Sequence, residues 1–166
     1  MIIIIALIIF LIFMATLLTI FQALMRDNQV SKMILANVAQ KVKDQYDTLG
    51  KLAESAKSGD EALYNQVINA LNIRGEGEDP THVNTLQADI DNYREIYVKA
   101  MNLVLSAKRS GDLTHYTELL DKGDNAMEEQ IVAYNKSVEA FNGKKKKFPY
   151  SIMGLVIKVA DAEILE

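Results

Sequence analysis

Two Asp-x-x-His sequences, Asp79-x-x-His82 and Asp112-x-x-His115, come closest to carrying reaction chemistry. On a helix, positions i and i+3 face one side, and bundle di-iron sites present carboxylate and imidazole ligands in this way. Capping is the competing explanation. Both aspartates stand at predicted helix starts, where a carboxylate accepts the free N–H groups of the first turn. Two further inward glutamates are not evident, and the two helix starts should lie at opposite ends of adjacent antiparallel helices. We therefore expect no metal and no cofactor. The chain has no cysteine, which excludes thiolate nucleophiles and cysteine-based zinc or iron–sulfur sites. It has no glycine-rich phosphate loop, no Gly-x-Ser-x-Gly elbow and no His-Glu-x-x-His. Adjacent acidic pairs such as Glu128-Glu129 turn about 100° apart on a helix and read as solvated surface. No residue is nominated as catalytic, and the chain is not expected to be an enzyme.

Lys144, Lys145, Lys146 and Lys147 form the one charge run. Such a run can neutralise the dipole at a helix C-terminus. It can also contact anionic lipid or an acidic partner, because Phe148, Tyr150, Ile152, Met153 and Leu155 follow it as in an interfacial anchor. The net charge of −4 and pI near 5.3 provide no basic footprint for nucleic acid.

The elements that would position these residues begin with an apolar stretch. From Ile2 to Phe21 the only polar side chains are Thr16 and Thr19, whose hydroxyls can bond back to the preceding helical turn. Residues 1–25 are predicted to form a transmembrane helix in contact with lipid. A cleaved signal peptide would need a basic n-region and small residues before the cut; no Lys or Arg precedes the run, and a cut after Ala23 would leave Phe21 two positions upstream. Arg26, Lys32, Lys41 and Lys43 follow the span, so charge bias favours N-out, C-in. The isoleucine-rich surface and the small-xxx-small pair Ala15/Thr19 offer a face for self-association.

Residues 26–142 read as one all-α domain, an elongated antiparallel bundle of three to four helices. Val30, Ile34, Val38, Val42, Tyr46, Leu49, Leu52 and Ala56 form a stripe that continues from the anchor, so both belong to one predicted rod. Ser58-Gly59-Asp60 interrupts it and starts a short second helix carrying Leu63, Val67, Ala70 and Leu71. The Gly75–Pro80 linker should end with Asp79 as N-cap and Pro80 in the first turn of a third helix, with stripe Val83, Leu86, Ile90, Tyr93, Tyr97, Met101 and Val104. Asp112 is expected to cap a fourth, with Leu113, Tyr116, Leu120, Met127, Ile131, Tyr134, Val138 and Phe141. Gly143 and Pro149 should end it. The tail, residues 143–166, carries Ile152, Met153, Leu155, Val156, Ile157, Val159, Ile164 and Leu165, too many apolar residues to trail in water, and should dock on protein or membrane. If the short second helix extends the first, as its shortness favours, that docking is expected at the end remote from the membrane; if it reverses the first, the tail returns toward the bilayer.

The end of the fourth helix reads Tyr134-Asn135-x-x-Val138-x-x-Phe141-Asn142, followed by Phe148-Pro149. It resembles the C-terminal signature of the LemA family, YN-x-x-V-x-x-YN and then FP. Asp124-Asn125-x-Met127 and Asp112-Leu113 resemble further family motifs, and Val38 to Leu52 resembles the family's first helix. The resemblance implies an N-terminal anchor on an antiparallel helical bundle, found mainly in bacteria and without established catalytic activity.

Read physically, Tyr134, Val138 and Phe141 share a core-facing side, and Asn135 and Asn142 share another from which each could bond the backbone of a returning tail. The reading is a single-pass, membrane-anchored scaffold of a bacterial cell membrane or internal membrane, acting through protein–protein or homo-oligomeric association. The alternative is a membrane-bound sensory or ligand-binding bundle.

Overall fold

The computed structural model describes residues 1–73, 82–108, 111–151 and 161–166. Among these residues the regular structure is helical throughout, with α1 (Ile2–Ser55), α2 (Glu61–Ile73), α3 (Val83–Ser106) and α4 (Gly111–Lys145). The apolar stretch and the first domain helix are one uninterrupted element, as the continuous stripe predicts. The most apolar 18-residue window of α1 has a mean hydropathy of 3.1, and α1 is long and apolar enough to cross a membrane. Within that stretch the two hydroxyls are satisfied by the helix itself: Thr16 donates to the Ile12 carbonyl (2.8 Å) and Thr19 to that of Ala15 (2.9 Å). The side chains from Met1 to Phe13 are exposed.

The chain forms two compact units. The larger comprises Ile34–Val132 with Leu165–Glu166. Its core draws Val38, Val42, Tyr46, Leu49 and Leu52 from α1, Val67 from α2, Leu86, Ile90, Tyr93, Ile96, Ala100 and Leu103 from α3, and Leu113, Leu120, Met127 and Ile131 from α4. α2 begins where Asp60 accepts the Ala62 and Leu63 amides at 2.8 and 3.1 Å, the N-cap expected of Ser58-Gly59-Asp60. It then folds back along α1: Tyr64 bonds Glu54, and Leu71 meets Gly50. α3 runs parallel to α1, since Tyr46 bonds the Asp89 carbonyl and the Asp60 amide donates to Ser106. α4 is antiparallel to α3, with Arg94 on Glu128 and Tyr97 on Asp121.

The smaller unit comprises Met1–Met33 and Ala133–Ile164. Here too α4 runs antiparallel to α1, with Ser137 on Ser31 (3.0 Å) and Lys144 on Asp27 (2.8 Å). Ile20, Leu24 and Phe141 make a buried cluster against which Tyr150 and Ala162 pack. These contacts place the last turns of α4 and the tail residues Tyr150 and Ala162 beside the end of the apolar stretch, which corrects the expectation of docking at the remote end. In the larger unit α2 reverses the chain instead of extending α1. The tail residues Ile152, Met153, Leu155, Val156, Ile157 and Val159 lie outside the described residues.

Helix boundaries differ from expectation at three points. The caps proposed at Asp79 and Pro80 lie outside the described residues; α3 starts at Val83, preceded by His82 in extended conformation with no side-chain cap. Asp112 falls inside the first turn of α4, one residue after its start at Gly111, where its charge meets the helix dipole. Gly143 does not end α4, which continues to Lys145 before the cis Phe148–Pro149 bond.

The reversal after α1 depends on close approach at Gly59. A Cβ there would lie 2.6 Å from Ser106 Oγ and 3.1 Å from the Ala107 amide nitrogen. Ser106 cannot swing away freely, because it accepts from the Asp60 amide (2.9 Å) and donates to the Leu103 carbonyl (2.7 Å). Gly59→Ala should therefore destabilise the fold by about 1–3 kcal/mol, the range for forced overpacking. Gly111→Ala, with nothing within 4 Å of the new methyl, should change stability by less than ~0.5 kcal/mol. Denaturant titration of the two variants checks this; equal midpoints would refute it.

Candidate functional site

The larger unit buries a polar cluster beside its tyrosines. Gln45, 3% exposed, projects from α1, and the two hydrogens of its Nε2 are shared among the Leu120 carbonyl (2.9 Å), Asp124 Oδ1 (2.5 Å) and Tyr93 Oη (3.1 Å). Tyr93 in turn donates to Asp124 Oδ1 at 2.6 Å. Gly123 makes room for the amide, since a Cβ there would fall 2.0 Å from Gln45 Oε1. Around this centre, Tyr46 donates to the Asp89 carbonyl (2.9 Å) and accepts from Asn92 (3.2 Å), while the Tyr46 and Tyr93 rings meet edge to face at 5.6 Å. Burial pushes the Tyr93 hydroxyl well above the usual tyrosine value, and its bond to Asp124 adds to the effect. Tyr97 and Tyr134 are raised too, chiefly by burial.

Chemically this cluster is closed. Among the described residues every buried side-chain nitrogen and oxygen has a partner. Its polar groups spend their bonds on one another, and that specifies which turns of α1, α3 and α4 face each other. The cluster was not anticipated from sequence. The available signal was a seven-residue gap in the α4 stripe, from Leu120 to Met127, filled by Gly123 and Asp124 where an apolar side chain would normally fall.

Two surface concavities adjoin it. The larger, about 670 Å³, lies between α1 and α2, lined by Tyr46, Asp47, Gly50, Lys51, Glu54 and Leu71 among others. The smaller, about 300 Å³, has Tyr93, Arg94, Tyr97, Asp124 and Met127 in its walls. As for metals, no three His, Asp or Glu side chains converge among the described residues. His82 precedes α3 and His115 lies near the start of α4, and the antiparallel pairing of these helices separates the two starts.

The signature residues of α4 gather in the smaller unit. Tyr134, Val138 and Phe141 are buried, and the Tyr134 hydroxyl donates to the Glu163 carbonyl at 2.8 Å. Asn142 binds Ala162 twice, donating from Nδ2 to its carbonyl (2.9 Å) and accepting its amide at Oδ1 (3.1 Å). Lys145 pairs with Asp161, holding that carboxyl below the usual aspartate range. Asn135 is half-buried on the same helix, as is Pro149 in the turn beyond it. Lys144 reaches Asp27 and lies 5.0 Å from the centre of the Tyr150 ring, whereas Lys146, Lys147 and Phe148 are exposed. A second amide clamp belongs to the larger unit. Gln87 donates to the Glu166 carbonyl (3.0 Å) and accepts its amide (2.8 Å), and Leu165 is buried. The described tail residues are thus held mainly through their backbone.

Comparison of the chain with protein-family models, with curated proteins and with solved structures finds no match.

The Asn142 clamp is directly testable. Asn142→Ala removes two hydrogen bonds to a half-buried backbone segment, and at a net 0.5–1.5 kcal/mol each the loss should be about 1–3 kcal/mol. The tail should also become sensitive to limited proteolysis. Glu139→Ala, at an exposed position on the same helix, serves as the control. A variant with unchanged melting and an uncut tail would show that Asn142 does not hold it.

Proposed function

We propose that the chain is a membrane-anchored helical scaffold of LemA type, acting through protein–protein or homo-oligomeric association and not through catalysis. The observation that carries this reading is the continuity of α1 from Ile2 to Ser55. Its first part exposes apolar side chains all round, while its later part contributes a stripe of core residues. A single helix with both properties suits a protein whose packed domain is tethered to a bilayer. The resemblance of the Tyr134–Pro149 region to the LemA signature agrees with it, since those residues fasten a tail instead of surrounding a reaction site.

Association would use the apolar part of α1. In lipid, helices attract one another through close packing at small residues, and Ala15 and Thr19 share one face there. The full chain in several mild detergents should run as a multiple of its 18.6 kDa mass by light scattering, and Ala15→Leu should shift it toward smaller species. A strict monomer in every detergent would overturn association through the anchor. The alternative is a ligand-binding bundle, favoured by the 670 Å³ concavity. It would show instead as a monomer carrying a small molecule in native mass spectrometry.

We further propose a single-pass orientation, N-out and C-in, in a bacterial cell membrane or internal membrane. Lys144 bonds Asp27 beside the end of the apolar stretch, so the lysine run joins Arg26 on the flank where positive charge favours the cytoplasm. The chain lacks cysteine, so Lys108→Cys, at an exposed position, introduces a unique thiol. A membrane-impermeant maleimide should label it only after cells are permeabilised; labelling of intact cells would reverse the orientation.

A further inference from the structure

We propose that Lys146, Lys147 and Phe148 form a docking surface for anionic phospholipid headgroups of the bilayer that α1 enters. The inference rests on the membrane-anchor reading and adds to it a second, electrostatic contact, made by a segment far from the anchor in sequence.

Position is the first argument. Arg26 and Asp27 are the first charged residues after the apolar stretch, so they mark where hydrocarbon gives way to headgroups, a zone roughly 5–7 Å deep on each side. Lys144 Nζ lies 2.8 Å from Asp27 Oδ2. Ile20 and Leu24, on the apolar side of Asp27, pack with Phe141, and Tyr150 packs against the same cluster. The segment bracketed by Lys144 and Tyr150 therefore lies at this edge, within the reach of lipid headgroups.

Composition is the second. Lys144 pairs with Asp27 and Lys145 with Asp161, a carboxyl that Lys146 also helps to hold down, last among its causes. Lys146 and Lys147 are exposed. Phe148 beside them is 80% exposed, a costly arrangement for an aromatic ring in water and a favourable one at a membrane interface. Ammonium groups flanking an apolar wedge match an anionic headgroup over an acyl boundary. The chain's net charge is −4, so attraction to an anionic surface must come from a local patch and not from the protein as a whole. A helix-dipole role accounts for Lys144 and Lys145 in the last turn of α4. It does not explain why the two lysines beyond the helix lead directly into an exposed phenylalanine.

The chain contains no tryptophan, so Phe148→Trp places a single indole at the proposed contact without disturbing a buried site. The full-length variant is reconstituted into phosphatidylcholine vesicles, with or without a minority of phosphatidylglycerol. The expected result is blue-shifted emission, quenched by brominated acyl chains, in the anionic vesicles only. The shift should be lost near 1 M salt, where the screening length falls to about 3 Å. It should be lost also in the Lys146→Gln/Lys147→Gln background, and it should survive added inorganic phosphate at low millimolar levels. An indole that is wet in both membranes, or equally dry in both, overturns the proposal. So does a shift indifferent to salt and to the two lysines. Alkaline extraction of the same vesicles keeps the two readings apart: a chain that washes off disproves the anchor, whereas a chain that stays with a solvent-exposed indole disproves only the lipid contact.

Discussion

A helix that leaves an all-apolar stretch and continues as an amphipathic domain helix must satisfy its backbone without help from its surroundings. α1 does so by never breaking: each peptide group inside the helix is bonded within it, whichever solvent surrounds that turn. Thr16 and Thr19 obey the same constraint by donating to their own preceding turns. What changes along α1 is only the set of partners for its side chains. Ile20 and Leu24 are already covered by Phe141 and its neighbours, although they belong by composition to the apolar stretch. Packing against protein thus begins before the first charged residue is reached.

The stripes of α1 and α4 were legible because apolar residues recur there with little ambiguity. α3 was legible only as far as Tyr93. Beyond it the sequence offers two neighbouring apolar rows, Tyr97, Met101 and Val104 or Ile96, Ala100 and Leu103, and the second is the buried one. Periodicity cannot choose between rows one residue apart; partners can. Tyr97 turns its hydroxyl toward Asp121 on α4, which leaves Ile96 to face the core. At the start of the α1 stripe, Val30 is 45% exposed while Ser31 is buried, because its hydroxyl meets Ser137, a residue distant in sequence. The direction of α2 stays open in the sequence for a related reason. Its reversal depends on Gly59 fitting under Ser106, and a short helix carries no local mark of whether it continues or turns back.

The site divides along similar lines. Asn142 was legible as a backbone-binding residue because a polar amide beside a core stripe, ahead of an apolar tail, has few other uses. The Gln45 cluster was not, since Gln45 and Asp124 look like ordinary helix surface, and Tyr93 like ordinary core, until α1, α3 and α4 are brought together. A buried glutamine is costly when unpaired and directional when paired. Gln45 therefore excludes alternative registers of α1 against α3 and α4 in a way that Leu49 or Leu52, packing well in several positions, could not. The apolar stripes supply most of the burial, and this cluster selects among the packings they allow.

The same division of labour explains how the tail is attached. Asn142 and Gln87 each present an amide to one backbone position, accepting its N–H and donating to its C=O, as a neighbouring strand would. Neither contact reads the side chain of Ala162 or Glu166, and neither amide titrates. The charged contribution is Lys145 on Asp161, where the ion pair depresses the acid. A depressed carboxyl lends stability above its ordinary range and withdraws it as pH falls through the lowered value. Asp161 is 56% exposed, so solvent screens this contribution and keeps it small. Lys144 also lies against the Tyr150 ring, and Lys146 adds the last of the causes that hold Asp161 down. Lys146 and Lys147 are nonetheless exposed, so their charge also faces the surroundings of the protein.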